Sequence, residues 1–291
     1  MALRLRAFAS LLAEAAARWR RHGAPGLAAG LAFYALLSLA PLLLIAVAVA
    51  GSLFGAEAAR GEIVSQVGTA IGPDAASVAA SLLTAAGQGS VGVRATVIGI
   101  VLLLFGASNV FTQLRVALNT VAEAGPGRRG IVAYVRDRLV ASFLVFLAGG
   151  LLIATMVAGA LLPLANTVVA RFVPGAEVSR AGHHLTMLAL TAGLSAVIYR
   201  VLPARPAGWR AAGLGAAFTA ILVWAGSLIT GAYLTARGIH SLYGAAGSVV
   251  FVLLWTYYAA QAFLFGAEFT FLYDRRRSGP GPSREGEPDR E

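Results

Sequence analysis

The sequence predicts an all-α, polytopic membrane protein with six transmembrane helices and an N-terminal interfacial helix. Three observations predict it. Of 291 residues, 58% are hydrophobic and only 12% charged, with a mean hydropathy of +0.76, whereas a soluble domain is about a quarter charged. Six apolar stretches approach or exceed the roughly 20 residues a helix needs to cross a hydrocarbon core of about 30 Å. The arginines, finally, are spread unevenly over alternate connections.

The spans read, in order, as 27–54, which holds no charge, then 96–114, 139–164, 184–199, 211–234 and 247–273. The fourth is the shortest, with Val201-Leu202 beyond Arg200 completing it. The apolar runs are continuous, without in/out alternation, so helices rather than a barrel are expected. Ala46-Val47-Ala48 resembles a signal-peptide cleavage site, but the apolar run is longer than a signal core and continues past it. With the N-terminus inside, the inner segments hold Arg4, Arg6, Arg18, Arg20 and Arg21, then Arg115, Arg128, Arg129, Arg136 and Arg138. Further on they hold Arg200, Arg205 and Arg210, then Arg275, Arg276, Arg277, Arg284 and Arg290. The outer segments hold only Arg60, Arg94, Arg171, Arg180 and Arg237. This bias places both termini in the cytoplasm. It also accounts for the net charge of +10 without nucleic acid as a partner.

Residues 1–26 read as the cytoplasmic N-terminal interfacial helix, with Leu3, Ala7, Leu11 and Ala15 on one face. Residues 27–274 form the transmembrane domain. Its external loop, about 55–95, repeats apolar residues every fourth position at Ile63, Val67 and Ile71 and again at Val78 and Leu82. Two short amphipathic helices are expected there, lying on the membrane surface or capping a cavity. Gly125-Pro126-Gly127 is a sharp break. The segment 275–291 turns to Gly, Pro and charge and reads as a disordered cytoplasmic tail.

The chain lacks a phosphate-binding loop, an HExxH motif, a Cys/His cluster and a nucleophile elbow. Cysteine is absent, which removes disulfides and thiolate chemistry. No enzyme activity, cofactor or metal is therefore expected. Gly213-Leu214-Gly215 reads as close helix packing rather than phosphate binding, and His183-His184 as a solvated helix start rather than a metal pair. Trp209, Trp224 and Trp255 read as packing or interface anchors.

Polar side chains inside the spans are the candidates for function. Glu268 precedes Arg275 by seven residues, about 10 Å along a helix, and a carboxylate there must be paired, protonated or facing water. Gln261 lies two turns away on nearly the same face, with Tyr257 and Tyr258 one turn beyond. Asn109 and Gln113, near Ser108 and Arg115, form a second stripe, and Tyr34 and Ser38 a third, just before Pro41, which would kink the first span. Arg115 or Arg200 is the expected partner of Glu268, since all three belong to the cytoplasmic half. Two readings of Glu268 stand side by side: a polar clasp locking the last helix to the bundle, and a gating or proton-coupled site in a cavity open to the cytoplasm.

Several stretches together resemble the YihY/BrkB family of bacterial inner-membrane proteins. They are Gly30-Leu-Ala-Phe-Tyr34-Ala-Leu-Leu-Ser38-Leu-Ala-Pro41, and Leu104-Phe-Gly-Ala-Ser108-Asn109 leading to Ala117-Leu-Asn119. Tyr199-Arg200-Val-Leu-Pro203 follows, with Trp209 and the Gly213/Gly215 helix. The most specific is the closing pattern of Tyr233, Tyr243-Gly244-Ala-Ala-Gly247, Leu254-Trp255 and Gly266-Ala267-Glu268. The chain departs from the pattern at Ala245 and at Phe269-Thr270. The resemblance spans roughly 10–275 and implies a multi-pass protein of the bacterial inner (plasma) membrane. Members have been called ribonuclease BN, a label regarded as mistaken, and serum-resistance factors, and some are treated as transporters of lipid-like envelope molecules or of cations.

On this reading the chain is a transporter or exporter, of a lipid-linked envelope molecule, with a cation/proton antiporter and a non-transporting scaffold of envelope assembly as alternatives. Candidate substrate or gating residues are Glu268, Gln261, Asn109, Gln113, Arg115, Asn119, Tyr34, Ser38 and Arg200. Pro41, Pro203, Gly244, Gly247 and Gly266 are the structural positions. Expected partners are membrane lipids and an unidentified transported substrate. Small residues such as Gly149, Gly150, Ala154 and Gly159 would pack helices within a monomer or between copies in a homo-oligomer.

Overall fold

The computed structural model describes residues 2–70, 72–87, 109–125, 178–236 and 240–278. The third expected span, most of the second, Gly149 to Gly159, Pro126-Gly127 and the tail beyond 278 lie outside the described residues. Among the described residues every regular element is a helix. They are α1 (Ala2–Arg21), α2 (Ala24–Phe54), α3 (Ala56–Ala70), α4 (Pro73–Gly87), α5 (109–121), α6 (Val178–Val201), α7 (Trp209–Ala236) and α8 (His240–Ser278). Three of them contain stretches long and apolar enough to cross a membrane: His184–Val201, Trp209–Ile229 and Val249–Arg277. The outward faces of these stretches are apolar, Leu185 being 66% and Ile229 70% exposed, as lipid-facing positions require.

The helix boundaries follow local chemistry. Gly23 ends α1 in the left-handed conformation, φ +62°, where nothing lies within 4 Å of a would-be Cβ. Pro25 then sits in the first turn of α2, where its missing N–H costs no hydrogen bond. The chain thereby bends by 67° between 9–21 and 24–39. α2 continues as one helix through Pro41, whose side chain lies outside the described residues. α6 stops two residues before Pro203, a buried residue in the turn to α7. α8 starts at His240 and passes unbroken through Gly244 and Gly247, seven residues earlier than its apolar run suggests, because Ser241 and the glycines are weakly apolar yet helical.

The central core draws on five helices. Ala24, Ala28 and Leu31 of α2 meet Ala117, Leu118 and Val121 of α5, Tyr199 of α6, Ala212 and Ala216 of α7, and Leu264, Ala267 and Phe271 of α8. The alanines let backbones approach closely, as membrane helices require when no hydrophobic effect drives them together. α7 and α8 interlock reciprocally. A Cβ on Gly215 would overlap Thr270 and the carbonyl of Gly266, and a Cβ on Gly266 would overlap Thr219. Each threonine hydroxyl donates back to the carbonyl four residues earlier in its own helix, at 2.9 Å for Thr219 and 2.7 Å for Thr270, so no polar group is left over.

The two helices expected in the external loop are present as α3 and α4. They fold onto the bundle rather than lying apart from it. Ile63, Ala79 and Leu83 pack on Leu43 and Val47 of α2, and Ala75 and Val78 pack on Val252 of α8. α1 likewise has a partner: Leu11 and Ala15 pack on Phe269 and Leu272 of α8. The apolar face read from its sequence is covered, at least in its second half, by the last helix.

Candidate functional site

The α1–α2 bend delivers two basic side chains to the charged end of α8. Arg18 lies in the last turn of α1 and His22 immediately after it, one helical turn apart. Both point at Glu268, which is fully buried. His22 Nδ1 lies 2.5 Å from one carboxylate oxygen of Glu268, and Arg18 Nε lies 3.6 Å from the other. That second contact is an ion pair short of a hydrogen bond, and neither atom finds another partner.

Glu123 completes the cluster from α5. It takes a left-handed backbone, φ +49°, as the chain leaves the helix, a conformation that costs a non-glycine residue about 1–2 kcal/mol. Its carboxylate is bonded by Arg18 and by Arg275 of α8, and His22 Nε2 approaches to 3.6 Å. Arg275 also donates to the Ala122 carbonyl at 3.0 Å. Burial pushes the Glu123 carboxyl up, but the hydrogen bond and charge of Arg275, with Arg18 and His22 behind them, outweigh it and hold the carboxyl below its ordinary value of 4.5. Two arginines, Arg18 and Arg275, and His22 meet the two carboxylates. The cluster thus joins α1, the α1–α2 bend, α5 and α8 through charge-assisted contacts. A separate ion pair, Arg276 with Glu14, ties α1 to α8 one turn further along.

This arrangement corrects the expected pairing of Glu268. Its partners are Arg18 and His22, not Arg115 or Arg200. Arg200 instead donates to the Ala207 carbonyl at 2.6 Å and stacks over the Trp209 ring at 5.5 Å, closing the α6–α7 turn. Asn119 joins that turn to α5 by accepting a hydrogen bond from the Ala204 N–H at 2.8 Å, and Asp274 accepts one from the Gly208 N–H at 3.1 Å. Arg115 and Asn109 lie on α5, outside the cluster. Gln113 packs against Gly30 of α2, where a Cβ would come within 2.7 Å of its amide nitrogen. Ser38 donates to Ala35 of its own helix, and Tyr34 meets Phe33 edge-on. The three polar stripes therefore do not converge on one point.

The stripe on α8 divides. Glu268 faces the charge cluster, while Tyr258 and Gln261 line an open groove of about 480 Å³. Its other walls are Ala16, Trp19 and Arg20 of α1, Leu222 of α7, and Ala262 and Phe265 of α8. The Tyr258 hydroxyl is committed to the Leu222 carbonyl at 2.7 Å. Two further polar contacts are structural. Tyr199, fully buried, bonds Thr219 at 2.8 Å and the Phe263 carbonyl at 2.7 Å. His184 accepts from the Trp224 indole at 3.4 Å and meets its ring edge-on, which gives His184 a packing role.

Apolar, outward-facing helices of spanning length around a buried charge cluster define a helical membrane protein. The Virulence factor BrkB family model matches residues 15–291, and the chain belongs to that family. No curated protein and no solved structure matches the chain.

Proposed function

We propose that the chain is a six-span transport protein of the bacterial inner membrane, with both termini in the cytoplasm, that moves an amphiphilic, lipid-linked envelope molecule and catalyses no covalent chemistry. The observation that carries this reading is the Glu268 clasp. A fully buried carboxylate in a spanning helix is held by Arg18 and His22 at the bend between α1 and α2. Well-packed apolar residues would often stabilise such a site as well as an ion pair does. A charged clasp at a glycine bend, beside a groove whose walls are α1 and α8, suits an element with two discrete arrangements. Release of the clasp would let α1 swing about Gly23 and widen the groove.

The test is movement of a headgroup-labelled lipid between leaflets of liposomes holding the purified protein. Movement in the wild type that is lost in Glu268→Gln, with the fold intact, supports the reading. Absence of movement in the wild type removes it and favours the scaffold. The placement of His22 between two carboxylates favours one second reading, proton-coupled cation exchange, for which a cation gradient would drive proton uptake into the same liposomes.

A further inference from the structure

The groove between α1, α7 and α8 carries more than a wall for the clasp. Arg18, Arg275 and Arg276 are each met by a carboxylate. Arg20, which lines the groove, meets no carboxylate among the described residues. Arg20 is exposed at the rim of the groove, so its guanidinium is open to an anion, and its planar donors match a phosphate. A further donor stands unused in the same lining: the Gln261 amide bonds no described residue, and Trp19 beside it keeps its buried indole N–H without a partner. The rest of the lining, chiefly Leu222 and Phe265, is apolar. One cation, a neutral amide donor and an apolar trough together complement a molecule with an anionic head and a hydrocarbon tail.

We propose that this groove binds an acidic phospholipid of the surrounding bilayer, its phosphate at Arg20 and an acyl chain along Leu222 and Phe265. As a substrate site the assignment rests on the transport reading, but the binding is measured without any flux, so the two fail separately. It also follows that a lipid headgroup lies beside the α1–α8 contact that the clasp controls.

The chain's own tryptophans provide the probe. With Trp209, Trp224 and Trp255 changed to Phe, Trp19 alone reports on the groove in liposomes. Phosphatidylglycerol brominated on its acyl chains should quench Trp19 several-fold more effectively than brominated phosphatidylcholine at equal mole fraction. Arg20→Gln should abolish that preference, and a chain keeping only Trp224 should show none. Equal quenching of Trp19 by the two lipids, or a preference that survives Arg20→Gln, would overturn the proposal. A second measurement needs no tryptophan changes. Phospholipid retained per chain after detergent extraction should lose its acidic component in Arg20→Gln, and unchanged retention of acidic lipid would likewise overturn it.

Discussion

His22 and Glu268 are 246 residues apart in sequence, and their side chains are 2.5 Å apart in space. That contact fastens the bend after the first helix to the last helix of the chain. Truncating one side of it leaves charge buried without a partner. Glu268→Ala should lower stability by about 3–5 kcal/mol, the cost of breaking a buried ion pair, read as a fall in unfolding temperature in detergent. The double variant His22→Gln/Glu268→Gln should depart from additivity by roughly 0.5–3 kcal/mol. Strict additivity would mean that the two side chains do not act on one another.

Glu123 sets an acid limit on the same cluster. Its folded carboxyl is held below 4.5, so the stabilisation it gives is fully present above the ordinary carboxyl range and is lost only as pH falls through the lowered folded value. The unfolding temperature of wild type minus that of Glu123→Gln should therefore be constant from neutral pH down to about the ordinary carboxyl value, then shrink in stronger acid. A difference that grows on acidification would have the wrong sign.

The α7–α8 interlock predicts opposite results at two glycines, one on each helix. Gly266→Ala would drive a methyl into Thr219 and should cost about 1–3 kcal/mol, as overpacking does. Gly213→Ala meets nothing within 4 Å and should be neutral or stabilise by about 0.5–1 kcal/mol through its helix preference. Thermal unfolding of the two variants side by side checks both.

The hydrogen bonds of Tyr199 predict a smaller effect. Tyr199→Phe removes a hydroxyl shared by Thr219 and Phe263 and should cost roughly 1 kcal/mol, without altering the lipid selectivity of Trp19 quenching. A change in selectivity would tie the α6 core to the groove.

Much of this fold was legible in the sequence because apolar run length dictates where a helix can cross a membrane. α6, α7 and α8 contain the three last expected spans, and α3 and α4 the two expected loop helices. The reading of Gly213-Leu214-Gly215 as packing holds at Gly215, which lies under Thr270, while Gly213 faces open space. Glu268 was legible as a buried polar residue, but its partners were not. Its sequence reads the first helix as a separate interfacial element, which sets its arginines apart from the last span. The signal that could have joined them was Gly23-Ala24-Pro25, a helix break placing Arg18 and His22 one turn apart beside the first span. The groove was not legible either. Periodicity put Gln261 and Glu268 on one face, whereas the approach of α1 separates them, leaving Gln261 beside Trp19 and Arg20 and Glu268 beneath His22.

In the proposed transport cycle α1 moves relative to α8. The chain contains no cysteine, so Ala16→Cys/Ala262→Cys places the sole thiols on opposite walls of the groove. Movement of a headgroup-labelled lipid should stop when a short, cleavable cross-linker joins them and return when it is cleaved. Movement that proceeds unchanged while the two helices are cross-linked would show that transport does not need α1 to part from α8.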